Sequence, residues 1–358
     1  MPTSNFVETP SLRIHYLQEG KGTPEGDPVI MLHGFPQTSY MWRHQIPLQA
    51  AEHAVYAPDT RGYGKTDKPR IRLTRDILAR DVIEFMDALG LERAQLVAHD
   101  WGGLIAFKAV VDYPDRFSKL ALFDTLTSVW INWGIHGYWF KCEPQAEEFY
   151  EKHHEAFIRS VFGGEDGGYG GPPYSPWAAV EGSEGSESLS DFDPTKHWTR
   201  EDVDHYAEAF SDPDCWFHAI EYYRHCLPFH IEREDANAPG GLRFEFLSSP
   251  KVAEMWNHPG LLFSHPDYAR FMTFAPEDRH KTYPGPTLYV FSPFLVPQAF
   301  ENGIPPDDYI PSGNPYAESF PRHFPDLRTR GVQSGHFIPE EAPERTNELL
   351  TDFLAGRI

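Results

Sequence analysis

The sequence is poor in cysteine and in positive charge, and it contains no long apolar run. Its three cysteines, Cys142, Cys215 and Cys226, are odd in number and scattered. That excludes a disulfide framework and a cysteine-based zinc site. No stretch reaches the roughly 18 consecutive apolar residues of a membrane-spanning helix. The N-terminus, Met1-Pro2-Thr3-Ser4, has no basic segment followed by an apolar one, so no secretory leader is expected. The final Ala355-Gly356-Arg357-Ile358 matches neither a peroxisomal nor a prenylation signal. A soluble cytoplasmic protein is the expectation. Lys and Arg number 31 against 53 Asp and Glu, a net charge of −22. Such a field repels nucleic acid and anionic lipid, and it disfavours strongly anionic substrates. No Gly-x-Gly-x-x-Gly follows an apolar strand. The 18 histidines show no ligand spacing with a matching carboxylate. Neither a cofactor nor a metal is therefore expected.

What is present suffices for a sizeable core. Hydrophobic residues make up 40% and aromatics 15% of 358 residues. That length suggests roughly two compact units. Apolar runs at 28–32 (PVIML), 54–57 (AVYA), 95–98 (QLVA) and 119–123 (KLALF) alternate with helical patterns at 75–89 and 102–111. Short apolar strands alternating with helices predict a mostly parallel sheet covered on both faces, an α/β fold. The alternation stops near residue 128. It returns at 287–291 (TLYVF) and 327–333, and 344–354 closes the chain as an amphipathic helix. The predicted organisation is a sheet domain at 1–128 and 285–358, interrupted by a mainly helical insert at 129–284. Within the insert, 147–161 and 201–224 read as helices, and 163–190, rich in Gly, Ser and Glu, reads as a long exposed loop.

The sharpest chemical signal is Ala98-His99-Asp100-Trp101-Gly102-Gly103, between a predicted strand and a predicted helix. Small residues at 98, 102 and 103 permit the sharp turn that lifts a central nucleophile out of a sheet, with Asp100 where esterases carry serine. The helix N-terminus keeps that carboxylate ionised. Position 100 also disfavours a serine esterase. His33-Gly34-Phe35-Pro36 follows the first apolar strand. The backbone N–H groups of Phe35 and Trp101 are candidate donors to an oxyanion hole. Ser334-Gly335-His336-Phe337 follows the last strand, and the order of nucleophile then histidine makes His336 the candidate general base.

In these motifs the chain resembles the α/β-hydrolase superfamily. The likeness is to its aspartate-nucleophile branch of epoxide hydrolases and haloalkane or haloacetate dehalogenases. It runs through HGFPQTSYMWRHQ (33–45), DTRGYGKTDKP (59–69) and HDWGG (99–103), returns at SGHF (334–337), and is patchy in the insert. The resemblance implies a cap domain at 129–284 over an α/β-hydrolase core. It also implies a triad acid. One family placement, after the seventh strand, holds Leu295 here. The other, after the sixth, holds Asp124, which is expected to orient His336, with Asp307 or Asp308 as the alternative.

The resemblance further implies cap tyrosines that protonate an epoxide oxygen, or N–H donors that receive a halide. Tyr223, in Tyr222-Tyr223-Arg224, matches the cap Tyr-Arg motif of epoxide hydrolases, and Tyr138 lies near their other cap tyrosine. Trp101 fits either reaction, and Trp139 is a candidate halide donor. Phe35 stands where one dehalogenase group has a halide-binding Asn. Trp101 and Leu104 stand where haloacetate enzymes have two arginines. The expectation is an epoxide hydrolase acting through a covalent Asp100 ester on a small apolar or aromatic substrate. The alternatives are a dehalogenase with the same triad and a non-catalytic ligand-binding member of the fold. A homodimer is compatible with the sequence.

Overall fold

The computed structural model describes residues 2–23, 26–131, 140, 144–162, 197–227, 272–275, 277–310 and 315–358. Its strands are β1 (Thr3–Glu8), β2 (Arg13–Glu19), β3 (Val29–Leu32), β4 (Val55–Pro58), β5 (Ala94–His99), β6 (Phe117–Phe123), β7 (Val129–Ile131), β8 (Met272–Phe274), β9 (Thr287–Phe291) and β10 (Leu327–Gly331). Eight of them form one sheet in the order β1-β2-β4-β3-β5-β6-β9-β10. From β4 to β10 neighbouring strands run parallel. Every residue of β3, β5 and β9 is buried. Burial on both faces is why these strands read as unbroken apolar runs.

Two strands stand outside the sequence expectation. β1 and β2 pair antiparallel, and β2 pairs antiparallel with β4. The burial of β1 only alternates between exposed and half-buried. A strand at a solvated sheet edge carries no continuous apolar signal.

The main helices are α1 (Arg75–Ala88), α2 (Trp101–Asp112), α3 (Gln145–Phe162), α4 (Arg200–Ala209), α5 (Pro213–Glu221), α6 (Pro315–His323) and α7 (Pro343–Leu354). The single helix expected at 201–224 is two helices. Asp212 leaves helical geometry at φ −76°, ψ 119°, accepts the Asp214 N–H and is followed by Pro213 at the first helical position. Proline lacks the N–H and crowds the preceding turn, so it begins a helix and does not continue one. After α5 the chain continues as a π-turn over Tyr222–Cys226.

β7 and β8 pair antiparallel, with Val129 opposite Phe274. The segment between β6 and β9 thus leaves and re-enters the core through one short ladder. The whole loop expected at 163–190 lies outside the described residues, as do Tyr138, Trp139 and Cys142. Among the described residues, no helix is long and apolar enough to cross a membrane.

Candidate active site

The parallel strands all deliver their carboxyl ends to one edge of the sheet. β3 ends at the His33-Gly34-Phe35 loop, β5 at Asp100, β6 at Asp124, β9 at Ser292, and β10 shortly before His336. In open α/β sheets that edge is where ligands bind.

Asp100 sits at the turn between β5 and α2 with φ 50° and ψ −120°. Asp124, at the end of β6, has φ 37°. L-residues other than Gly, Asn and Asp rarely enter this region, and holding a side chain there costs of order 1–3 kcal/mol. The surroundings over-determine the Asp100 turn. Thr125 Oγ1 donates to the Asp100 carbonyl at 2.6 Å. A side chain on Gly34 would place its Cβ 2.4 Å from both Cβ and Oδ1 of Asp100, and one on Gly102 would lie 2.4 Å from the Leu32 carbonyl oxygen. Only glycine lets the two loops approach so closely.

The two oxygens of Asp100 meet different partners. Oδ1 accepts the Phe35 N–H at 2.8 Å. Oδ2 faces His336 Nε2 at 3.4 Å. The other imidazole nitrogen, Nδ1, lies 3.2 Å from Asp124 Oδ2. Asp124 is itself held by Ser292, whose N–H donates to Oδ1 at 2.9 Å and whose hydroxyl donates to Oδ2 at 2.7 Å. Asp100, His336 and Asp124 therefore stand in line. Asp307 and Asp308 stand elsewhere, paired with Arg330, and Leu295 is buried.

Burial pushes the Asp100 carboxyl up. Contact with His336 and the Phe35 N–H draw it down by more, so it lies below the ordinary carboxylate value. Burial would lower His336, but its hydrogen bonds to Asp100 and Asp124, reinforced by their charges, raise it to about 9. For Asp124 burial dominates over His336 and Ser292, and its carboxyl lies above the ordinary value. His99 is drawn down to about 3, by burial first and by the nearby His336 second. It is neutral, and since a carbonyl only accepts, its Nε2 carries the proton donated to the His336 carbonyl at 2.9 Å. Similarly, Thr60 N–H donates to His33 Nε2 at 3.0 Å, and His33 Nδ1 donates to the Gly34 carbonyl at 2.9 Å. That pair fixes the loop carrying Phe35.

Phe35 is fully buried, and the inserted segment wraps it in rings. Its centroid lies 5.7 Å from Phe140, 5.8 Å from Phe210, 6.1 Å from Trp216 and 5.5 Å from Tyr223. Trp101 is flanked edge-on by Tyr222 at 5.3 Å and Tyr223 at 5.0 Å. The two tyrosines diverge: Tyr222 donates its hydroxyl to the Arg61 carbonyl at 3.0 Å, while Tyr223 packs on Phe35, Trp101 and Phe140. Wider π-turns are rare in helices and concentrate where a side chain must be re-aimed at a site. Among the described residues, no group of three or more His, Cys, Asp or Glu side chains could hold a metal ion.

Sequence reasoning missed Ser292, Thr125, His99 and Glu341. The Ser292 signal exists only in the register: Phe123 lies opposite Val290, which sets the residue after β9 beside the residue after β6.

Residues 27–140 match the family described as alpha/beta hydrolase fold. The chain is 30% identical over 243 residues to epoxide hydrolase 4 of Mus musculus, covering 62% of this chain and 60% of that protein. It is 42% identical over 124 residues to a haloalkane dehalogenase of Psychrobacter cryohalolentis, covering 33% and 40% respectively. The match thus spans 60% or less of the length of these relatives. Among solved structures, the ligand-free epoxide hydrolase CorEH superposes with a TM-score of 0.67 at 21% identity over 100% of both chains. The fold is the α/β-hydrolase fold, and the chain is similar over part of its length to epoxide hydrolases and to a haloalkane dehalogenase.

Proposed function

We propose that the protein is an epoxide hydrolase, with residues 129–284 as a cap over a core of 1–128 and 285–358. Asp100 Oδ2 attacks a ring carbon, the C–O bond of the epoxide breaks, and the oxygen takes a proton from a cap tyrosine, Tyr223 and its counterpart Tyr138 being the candidates. The product is a hydroxyalkyl ester of Asp100. His336, oriented by Asp124, then takes a proton from water. The water oxygen bonds to the ester carbonyl carbon, and the charge that develops on Oδ1 falls on the N–H of Phe35, already 2.8 Å away, with Trp101 as the second donor. The ester C–O bond breaks, the diol oxygen takes the proton from His336, and the remaining water proton, left on the Asp100 carboxylic acid, returns through solvent to the tyrosinate, restoring the carboxylate and the phenol. The scheme uses only groups of this chain.

The observation that carries the reading is the seat of Tyr223, buried between Phe35 and Trp101, the residues whose N–H groups flank Asp100. A phenol there is a proton donor for an alkoxide. The phenyl ring of Phe35 offers no N–H to a halide. The names of the epoxide hydrolase relatives support the same reading. The aromatic enclosure favours a small apolar or aromatic epoxide. The buried free thiol of Cys215 fits the reducing cytoplasm.

The test compares styrene oxide with a bromoalkane of similar size. The wild-type protein is expected to release diol and no bromide. Tyr223→Phe should slow diol formation by about tenfold or more, because a positioned general acid contributes about 10²–10⁴. Bromide release undiminished by that substitution would replace this reading with a dehalogenase that uses Trp101 and Trp139.

A further inference from the structure

The loop bearing His336 is gripped by a carboxylate outside the triad. Glu341 ends a short helical turn, Ile338–Glu341, and its side chain folds back over residues 335–337. Its Oε2 accepts the Gly335 N–H at 2.5 Å and its Oε1 accepts the Phe337 N–H at 2.9 Å. These are the N–H groups of the two residues that flank His336, whose own carbonyl is taken by His99 at 2.9 Å. Glu341 is 8% exposed. Its neighbour Glu340 turns the other way, to Arg43, Gln37 and Tyr206.

We propose that Glu341 is a positioning residue for His336, setting the imidazole between Asp100 and Asp124 by holding the N–H groups of Gly335 and Phe337 together. Each of the two N–H groups goes to its own oxygen of the side chain. The ionised carboxylate supplies both; burial pushes its pKa up to about 8 and the two N–H bonds pull against that rise. A carboxamide of the same shape supplies one and turns an N–H₂ toward the remaining N–H. The imidazole spans 3.4 Å on one side and 3.2 Å on the other, so a small rotation of the loop breaks one contact or both. Asp100 keeps its own turn, fixed by Thr125 and Phe35. Glu341 therefore serves the water-activating half of the reaction and leaves the first attack alone.

The inference rests on the proposed two-step hydrolysis, and Glu341→Gln separates the two. Slower ester hydrolysis with unchanged attack lowers kcat and KM in parallel and leaves kcat/KM within about twofold. Rapid-quench mass spectrometry should show the Asp100 ester, scarce in the wild type, accumulating in the variant, with hydrolysis slowed by about tenfold or more. Glu341→Asp retains two acceptors and should fall between. A general loss of folding would lower kcat/KM and the melting temperature together, and that pattern overturns the proposal. So does a variant that turns over like the wild type. A readout independent of any substrate is amide hydrogen exchange: Glu341→Gln should accelerate exchange in residues 334–338 and nowhere else in the core. Unchanged exchange there overturns the proposal even where no epoxide is hydrolysed, and failure of the wild type to form any ester overturns the proposed function instead.

Discussion

At the scale of single residues, the site depends on giving three titratable groups different duties. Asp124→Asn keeps the shape but cannot stabilise the imidazolium that forms on His336. Ester hydrolysis should slow on the order of 10³–10⁴-fold, the loss typical of a triad acid so altered, while ester formation changes far less. Burst-phase kinetics with mass detection separates the steps. The raised pKa of His336 carries a second expectation. In the free protein two carboxylates hold it at about 9. Once Asp100 is esterified, one of those charges is gone, so the imidazole pKa must fall. The single-turnover rate of ester hydrolysis should rise with pH and level off below pH 9. A profile still climbing above pH 9 would contradict this.

Several of these residues were legible from the sequence and others were not, for a physical reason. Asp100, Phe35 and His336 each follow a strand and sit among small residues, a local pattern. Asp124 needed the resemblance, because a carboxylate after a strand is common. Ser292, Thr125 and Glu341 act through contacts to residues that only the register and the loop path bring near: Ser292 is 168 residues from Asp124 in the chain. No window along the sequence contains such a pair.

At the scale of elements, α4 is the clasp between the inserted segment and the core. Thr199 and Asp202 form a capping box at its N-terminus. Asp202 also accepts the Tyr40 hydroxyl at 2.8 Å and faces Arg43 Nε at 3.1 Å. Arg43 in turn reaches Glu340, beside the His336 loop. Thr199→Ala removes the cap and the hydroxyl bond to Asp202 but leaves the Tyr40 and Arg43 contacts, and should cost about 1 kcal/mol. Asp202→Ala loses the cap and a charge-assisted contact, and should cost about 2–3 kcal/mol. Urea titration checks both, with midpoints shifting and slopes unchanged. Equal losses for the two variants would mean that the Tyr40 and Arg43 contacts contribute nothing. The helix periodicity was visible in sequence, but the break at Pro213 and the clasp were not, because the clasp joins residues 162 positions apart.

At the scale of the whole molecule, the sheet read well because buried parallel strands are continuous apolar runs, while the solvated β1–β2 edge left no such signal. The coupling of His336 to its carboxylates also reaches global stability. Its folded pKa is raised above the ordinary 6.5. The stabilisation it brings is fully present below about pH 6.5 and is lost as pH rises through about 9. Thermal melts between pH 6 and pH 10 should show the wild type losing more stability than His336→Gln. Parallel curves would show that the imidazolium is not held by Asp100 and Asp124.

The measurement closest to the central claim is intact-protein mass spectrometry of His336→Gln incubated with a mixed panel of epoxides and haloalkanes. Without the base, the ester on Asp100 cannot be hydrolysed. The account predicts a stable adduct whose mass is that of one whole epoxide, absent in Asp100→Asn. An adduct equal to an alkyl group in place of a hydrogen would contradict it and identify a dehalogenase, and no adduct from either class would show that this geometry does not work as an alkylating nucleophile on these substrates.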